Sequence, residues 1–130
     1  MSTTQQMLDA YPADLGGVDK ARLVACIDAC VDCAQVCTAC ADACLSEEMV
    51  DELRKCIRTD LDCADICATT ARVLSRHTGY DANISRSMLQ ACATACNACD
   101  DGAVATPACT STAASAPTPA APASRPATTC

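Results

Sequence analysis

The sequence predicts an all-α protein, an antiparallel four-helix-bundle type with a cysteine-lined core, in which only three long helices are clearly encoded. Three observations carry this prediction. In CIDACVDCAQVCTACADAC the cysteines at 26, 30, 33, 37, 40 and 44 recur at intervals of 4, 3, 4, 3 and 4, the period of the buried seam of a packed helix. Two later stretches repeat this spacing. The connectors between the three are short, which makes neighbouring helices antiparallel, and three stripes facing one axis are most economically completed by a fourth helix.

Residues 1–18 form an N-terminal segment with a short helix expected from Thr3 to Ala10, broken by Pro12 and the Gly16-Gly17 pair. The cysteine-rich bundle occupies 19–100. Asp19 is placed to cap its first helix, which carries Cys26, Cys30, Cys33, Cys37, Cys40 and Cys44 inward and Asp28, Asp32, Gln35 and Asp42 outward. A turn at Leu45-Ser46 follows, with Ser46 as the expected cap of a second helix from Glu47 to His77. There Cys56, Asp60, Cys63 and Cys67 keep the intervals 4, 3, 4, so an aspartate stands on the thiol seam. His77 is expected to close that helix, where its charge suits the helix dipole. HTGYDAN is the connector, with Gly79 as terminator, and the third helix begins near Asn83 and carries Cys92, Cys96 and Cys99. Met49 and Met88 at helical spacing read as core.

Residues 101–130 are different: an Ala/Pro/Thr-rich tail holding five of the six prolines, with little charge, expected to be disordered. Cys109 and Cys130 lie in it and are not expected to be core ligands. Ala113, Ala116, Ala120, Ala123 and Ala127 nevertheless keep a 3, 4, 3, 4 rhythm in a segment that prolines bar from helix.

Of 130 residues, 14 are cysteine and none is Phe or Trp. Small side chains cannot fill a bundle to native density, so the interior needs another occupant. A net charge of −7 argues against a nucleic-acid partner and mildly attracts cations. The N-terminus lacks a basic region followed by an apolar one, and no run approaches a membrane span, so no membrane partner and a cytoplasmic location are expected. Thiols are kept reduced there, and dense cysteine points to metal rather than disulfides. Helical neighbours also have Cβ atoms roughly 5–6 Å apart, too far for a disulfide.

Thiolate selects soft ions: Cu(I), Zn or Fe–S clusters. Cu(I) is satisfied by two or three sulfurs, so pairs on adjacent turns, bridged by a neighbouring helix, would build a ladder of sites. The candidate ligands are Cys26, Cys30, Cys33, Cys37, Cys40, Cys44, Cys56, Asp60, Cys63, Cys67, Cys92, Cys96 and Cys99. Zinc is the nearest rival, but it favours closed sets of four rather than continuous stripes. A thiol redox or oligomerisation module is the non-metal alternative. No Ser-His-Asp set, phosphate loop or paired-carboxylate motif is visible, so no enzymatic activity is expected.

CIDACVDCAQVCTACADAC, CIRTDLDCADIC, the connector SRHTGYDAN and ACATACNAC together resemble the copper storage protein family, over roughly residues 7–100. The resemblance implies a cysteine-lined four-helix bundle holding multiple Cu(I) ions, copper homeostasis as the role, and a homo-oligomer, a tetramer in the cytosolic members. It also implies a last cysteine-rich helix preceded by a histidine-containing loop, between the last two helices. His77 lies at the opposite end of the bundle from that loop and cannot replace it. The chain departs from the family over 101–130. Permitted codons for Gly102 to Cys130, read two bases downstream, spell CGRHAGMHEHCRVCADACRACEQACDDL, which resembles the missing part. Ala108 to Thr112 written GCA TGC ACG AGC ACT, for example, contains ATG CAC GAG CAC, or Met-His-Glu-His. Alanine codons begin with GC and one cysteine codon ends with it, which accounts for the alanine rhythm. Residues 101–130 are therefore expected to be a frameshift product.

Overall fold

The computed structural model describes residues 1–104. The expectations for 105–130, including Cys109 and Cys130, lie outside the described residues. Helix α1, Thr3–Asp9, starts where the Ser2 hydroxyl accepts from the Gln5 amide. Gly16 then turns the chain at a φ of +70°, a region open to a residue without Cβ. Helix α2, Lys20–Leu45, is capped as expected by Asp19, whose carboxylate accepts from the Arg22 amide at 3.2 Å. Its outer Asp28 accepts from the Thr4 hydroxyl and so ties α1 to the bundle.

The second long element differs from expectation at both ends. Ser46 does not open a helix but closes α2, its amide donating to the carbonyls of Ala43 and Cys44. The chain then makes a 3-10 turn, Val50–Leu53, before α3 runs from Arg54 to Leu74. The tighter turn swings Leu53 inward, where it is 2% exposed against Cys40, Cys44 and Cys56. Ser75 caps the far end, so His77 lies beyond α3 rather than in its last turn. Its ring instead meets Tyr11 edge-on, with centroids 5.3 Å apart, and the Tyr11 hydroxyl shares a 2.9 Å hydrogen bond with Thr78. Gly79, at a φ of +62°, turns the connector. The Asp81 carboxylate accepts from the Asn83 amide at 2.8 Å, and α4 spans Ala82–Val104, continuing past the expected boundary at residue 100.

Helix α3 packs against both α2 and α4, whereas no Cα of α2 comes within 8 Å of one in α4. The three long helices thus stand at three corners of a square, with α3 between its neighbours and α2 diagonal to α4. Among the described residues nothing stands at the fourth corner. Along the shared axis the core changes character. Ile27, Ala71 and Leu74 close one end, sulfur fills the middle, and Leu53 with Cys40, Cys44 and Cys56 closes the other.

By length and composition alone α2 is apolar enough to cross a membrane, contrary to the sequence-based expectation that no run approaches a span. Its apolarity comes from alanine and cysteine, and its buried stripe is turned onto α3 and α4. No disulfide joins the twelve cysteines of the described residues.

Because Leu53 is the large aliphatic side chain buried deepest at the second end, with Ile57 only partly buried beside it, Leu53→Ala should destabilise the metal-free chain by about 2–4 kcal/mol. Urea unfolding followed by circular dichroism measures this, and an unchanged midpoint would show that the 3-10 turn does not support the core.

Candidate metal centre

Each cysteine stripe supplies a column of sulfur at helical spacing, and antiparallel packing sets the columns side by side. Between α2 and α3, the Sγ atoms of Cys33 and Cys63 lie 3.6 Å apart. Between α3 and α4, Cys67 approaches Cys96 at 3.5 Å and Cys92 at 3.7 Å, while Cys63 donates to Cys96 at 3.8 Å. Sulfur also spans the diagonal, where backbones do not meet. Cys30 is 3.9 Å from Cys92, Cys33 is 3.9 Å from Cys96, and Cys37 is 3.6 Å from Cys99. Pairs one turn apart on a single helix are equally close, at 3.7 Å for Cys33 and Cys37 and 3.9 Å for Cys63 and Cys67.

A carboxylate interrupts the column, with further thiols beyond it. Asp60 is 1% exposed, and its two oxygens accept from the thiols of Cys99 at 2.9 Å and Cys56 at 3.6 Å. It therefore faces the interior. Three groups have ligand atoms all within 4.8 Å of one another: Cys33, Cys63, Cys67 and Cys96; Cys37, Cys63 and Cys99; and Cys40, Cys44 and Asp60. Cys63 belongs to two of them and the contact of Cys99 with Asp60 joins the third, so the groups form one connected path. Every member of these groups stands on the seam that the 3-and-4 spacing picks out. Cys26, Cys30, Cys56 and Cys92 are buried around them. Cys33 and Cys96 are only half-buried, whereas Met49 is exposed on the surface.

The spacing did not reveal where thiolate charge collects. Hydrogen bonds from Cys37, then Cys63, Cys67 and Cys96, hold the Cys33 thiol far below its ordinary range. The complementary effect raises its neighbours: hydrogen bonding to Cys33 leads in pushing Cys37, Cys63 and Cys67 well up, and pushes Cys96 up to about 12. Burial adds to each rise. Hydrogen bonds from Cys37, then Cys63, likewise lower the Cys99 thiol, to about 3, so in a cluster without a cation negative charge collects at Cys33 and Cys99 among S–H donors. Further ionisation requires positive charge from outside the protein, and soft cations supply it.

Residues 19–124 match the family model described as copper storage protein. Among solved structures, the chain is 58% identical to the copper storage protein Ccsp from Streptomyces lividans loaded with 10 copper equivalents, with a TM-score of 0.82. That match covers 86% of this chain and 88% of the other. A second structure, described as copper loading to a cytosolic copper storage protein from Streptomyces lividans with five coppers, matches at 58% identity and a TM-score of 0.71. It covers 76% of this chain and 86% of that one. None of the curated proteins matches the sequence.

The raised thiols carry a consequence for stability. Above their ordinary value of 9.0, Cys37, Cys63, Cys67 and Cys96 keep protons that the unfolded chain has released, so folding stability falls as pH rises from there toward about 12. Cys33 and Cys99, shifted downward, act in the opposite sense only below 9.0, where the unfolded chain still holds their protons. The melting temperature of the reduced, metal-free chain should therefore decline as pH is raised past 9.0, and a flat or rising profile would contradict this charge distribution.

Proposed function

The chain belongs to the copper storage protein family, and we propose that it binds and stores multiple Cu(I) ions on the thiolates lining its helical bundle. The observation that carries this reading is the unbroken sulfur path, with neighbours 3.5–3.9 Å apart, from Cys30 and Cys92 at one end to Cys37 and Cys99 at the other. Two- and three-coordinate Cu(I) fits between such neighbours, and each sulfur serves two ions by bridging. The proposed ligands are Cys26, Cys30, Cys33, Cys37, Cys40, Cys44, Cys56, Asp60, Cys63, Cys67, Cys92, Cys96 and Cys99. Each copper that binds displaces thiol protons to solvent, and its charge offsets the cost of burying the thiolates. Uptake is thus driven by sulfur affinity and opposed by acid.

The role is binding rather than catalysis, and the working compartment is the cytosol, as for the Streptomyces lividans relative. Its reducing conditions keep the thiols available. The uncovered corner beside Cys33 and Cys96 favours a homo-oligomer, since a second copy of the chain or a fourth helix would cover the half-buried sulfurs. A shifted reading of codons permitted for residues 102–130 would supply such a helix. Sequencing the coding DNA decides this point: a single-base change that restores the cysteine-rich frame supports the frameshift, and the absence of any such change removes it.

Anaerobic titration of the reduced chain with Cu(I), against a competing chelator and after free thiols are counted, tests the storage reading. Several ions per chain, with protons released in proportion, are expected. Saturation at one or two ions would point to copper transfer or regulation instead. Disulfides in freshly isolated protein would favour the redox alternative.

A further inference from the structure

Among the described residues, Cys33, Cys63, Cys67 and Cys96 are the one group in which four ligand atoms all lie within 4.8 Å of one another. Their separations are 3.6 Å for 33–63, 3.9 Å for 33–96, 3.9 Å for 63–67, 3.8 Å for 63–96 and 3.5 Å for 67–96. A zinc ion with four thiolates at about 2.3 Å in a tetrahedron places the sulfurs about 3.8 Å apart. Five edges of the group therefore already have nearly the length that a closed zinc site requires. A two- or three-coordinate Cu(I) ion has no need of the fourth.

We propose that this quartet is a Zn(II) site in the copper-free chain, distinct in metal and stoichiometry from the copper store built on the same seam. Zn²⁺ binds the Cys33 thiolate and the thiols of Cys63, Cys67 and Cys96, releasing three protons and leaving a tetrathiolate of charge −2. Half-buried Cys33 and Cys96 set that charge against the uncovered corner, where solvent stabilises it, while buried Cys63 and Cys67 clamp the ion from α3. The site also has a structural use. One ligand comes from α2, two from α3 and one from α4, so a single ion joins the two helices that have no backbone contact. Zinc then holds the bundle together before copper arrives, and copper, the softer ion, displaces it on loading.

Co(II) is the spectroscopic probe, added to the reduced full-length chain without oxygen. The expected result is one equivalent bound, with the intense visible bands of tetrahedral cobalt and a strong sulfur-to-cobalt charge-transfer band, all abolished by one equivalent of Zn(II). Cys33→Ser and Cys96→Ser should move the bands to higher energy and weaken binding by more than roughly tenfold, with helicity by circular dichroism retained. Cys26→Ser should lower copper uptake and leave the cobalt spectrum alone. The pale spectrum of hydrated cobalt, or tetrathiolate bands that persist unchanged in Cys33→Ser, would overturn the proposal. If both quartet variants unfold, the unsubstituted chain decides: a tetrathiolate spectrum at one equivalent supports it and its absence refutes it. Neither result depends on copper, so the cobalt experiment can fail while the copper titration succeeds.

Discussion

Sulfur bridges helices α2 and α4 where their backbones stay apart. Three diagonal contacts, Cys30 with Cys92, Cys33 with Cys96 and Cys37 with Cys99, bridge a gap that their backbones leave open. The rest of the molecule depends on what occupies that gap. Filled with thiols alone, it is held by weak S–H hydrogen bonds and little dispersion, because cysteine brings less area to a core than leucine. Filled with soft cations, the same sulfurs become ligands and the gap becomes the strongest junction in the bundle. Stability and cargo are therefore linked, since metal that binds the folded chain preferentially also stabilises it.

The chain's polarity follows from the same constraint. At one end Ile27, Ala71 and Leu74 make an ordinary apolar plug, and α1 lies near it through the contact of Tyr11 with His77. At the other, Asp60 stands among thiols that donate to it. A buried carboxylate is tolerable there because its oxygens are hydrogen-bonded, and positive charge on the adjacent sulfurs' cargo would offset its own. The seam thus passes from hydrocarbon through sulfur to a buried carboxylate, and then through the thiols of Cys40, Cys44 and Cys56 to Leu53.

Much of this was legible in the sequence because helical periodicity survives any choice of buried side chain. The intervals from Cys26 to Cys44 identified α2 and its inward face, and the aspartate filling the gap between Cys56 and Cys63 was correctly placed on the seam. What the pattern missed depends on local turn chemistry and long-range packing. Ser46 looked like the start of a helix but closes one, and the chain tightens into a 3-10 turn before α3. His77 was assigned to a helix end, whereas its neighbour Tyr11 is far away in sequence. Spacing along one helix also says nothing of which columns meet across the diagonal, so the four-way closeness of Cys33, Cys63, Cys67 and Cys96 needed coordinates.

The central claim is that sulfur from three helices, rather than surface carboxylate or imidazole, holds the copper. X-ray absorption at the copper edge of the loaded chain tests it most directly. The account predicts Cu(I) with a first shell dominated by sulfur and a copper–copper scattering contribution from thiolate-bridged neighbours. A first shell of nitrogen and oxygen, or isolated copper with no metal neighbour, would contradict it.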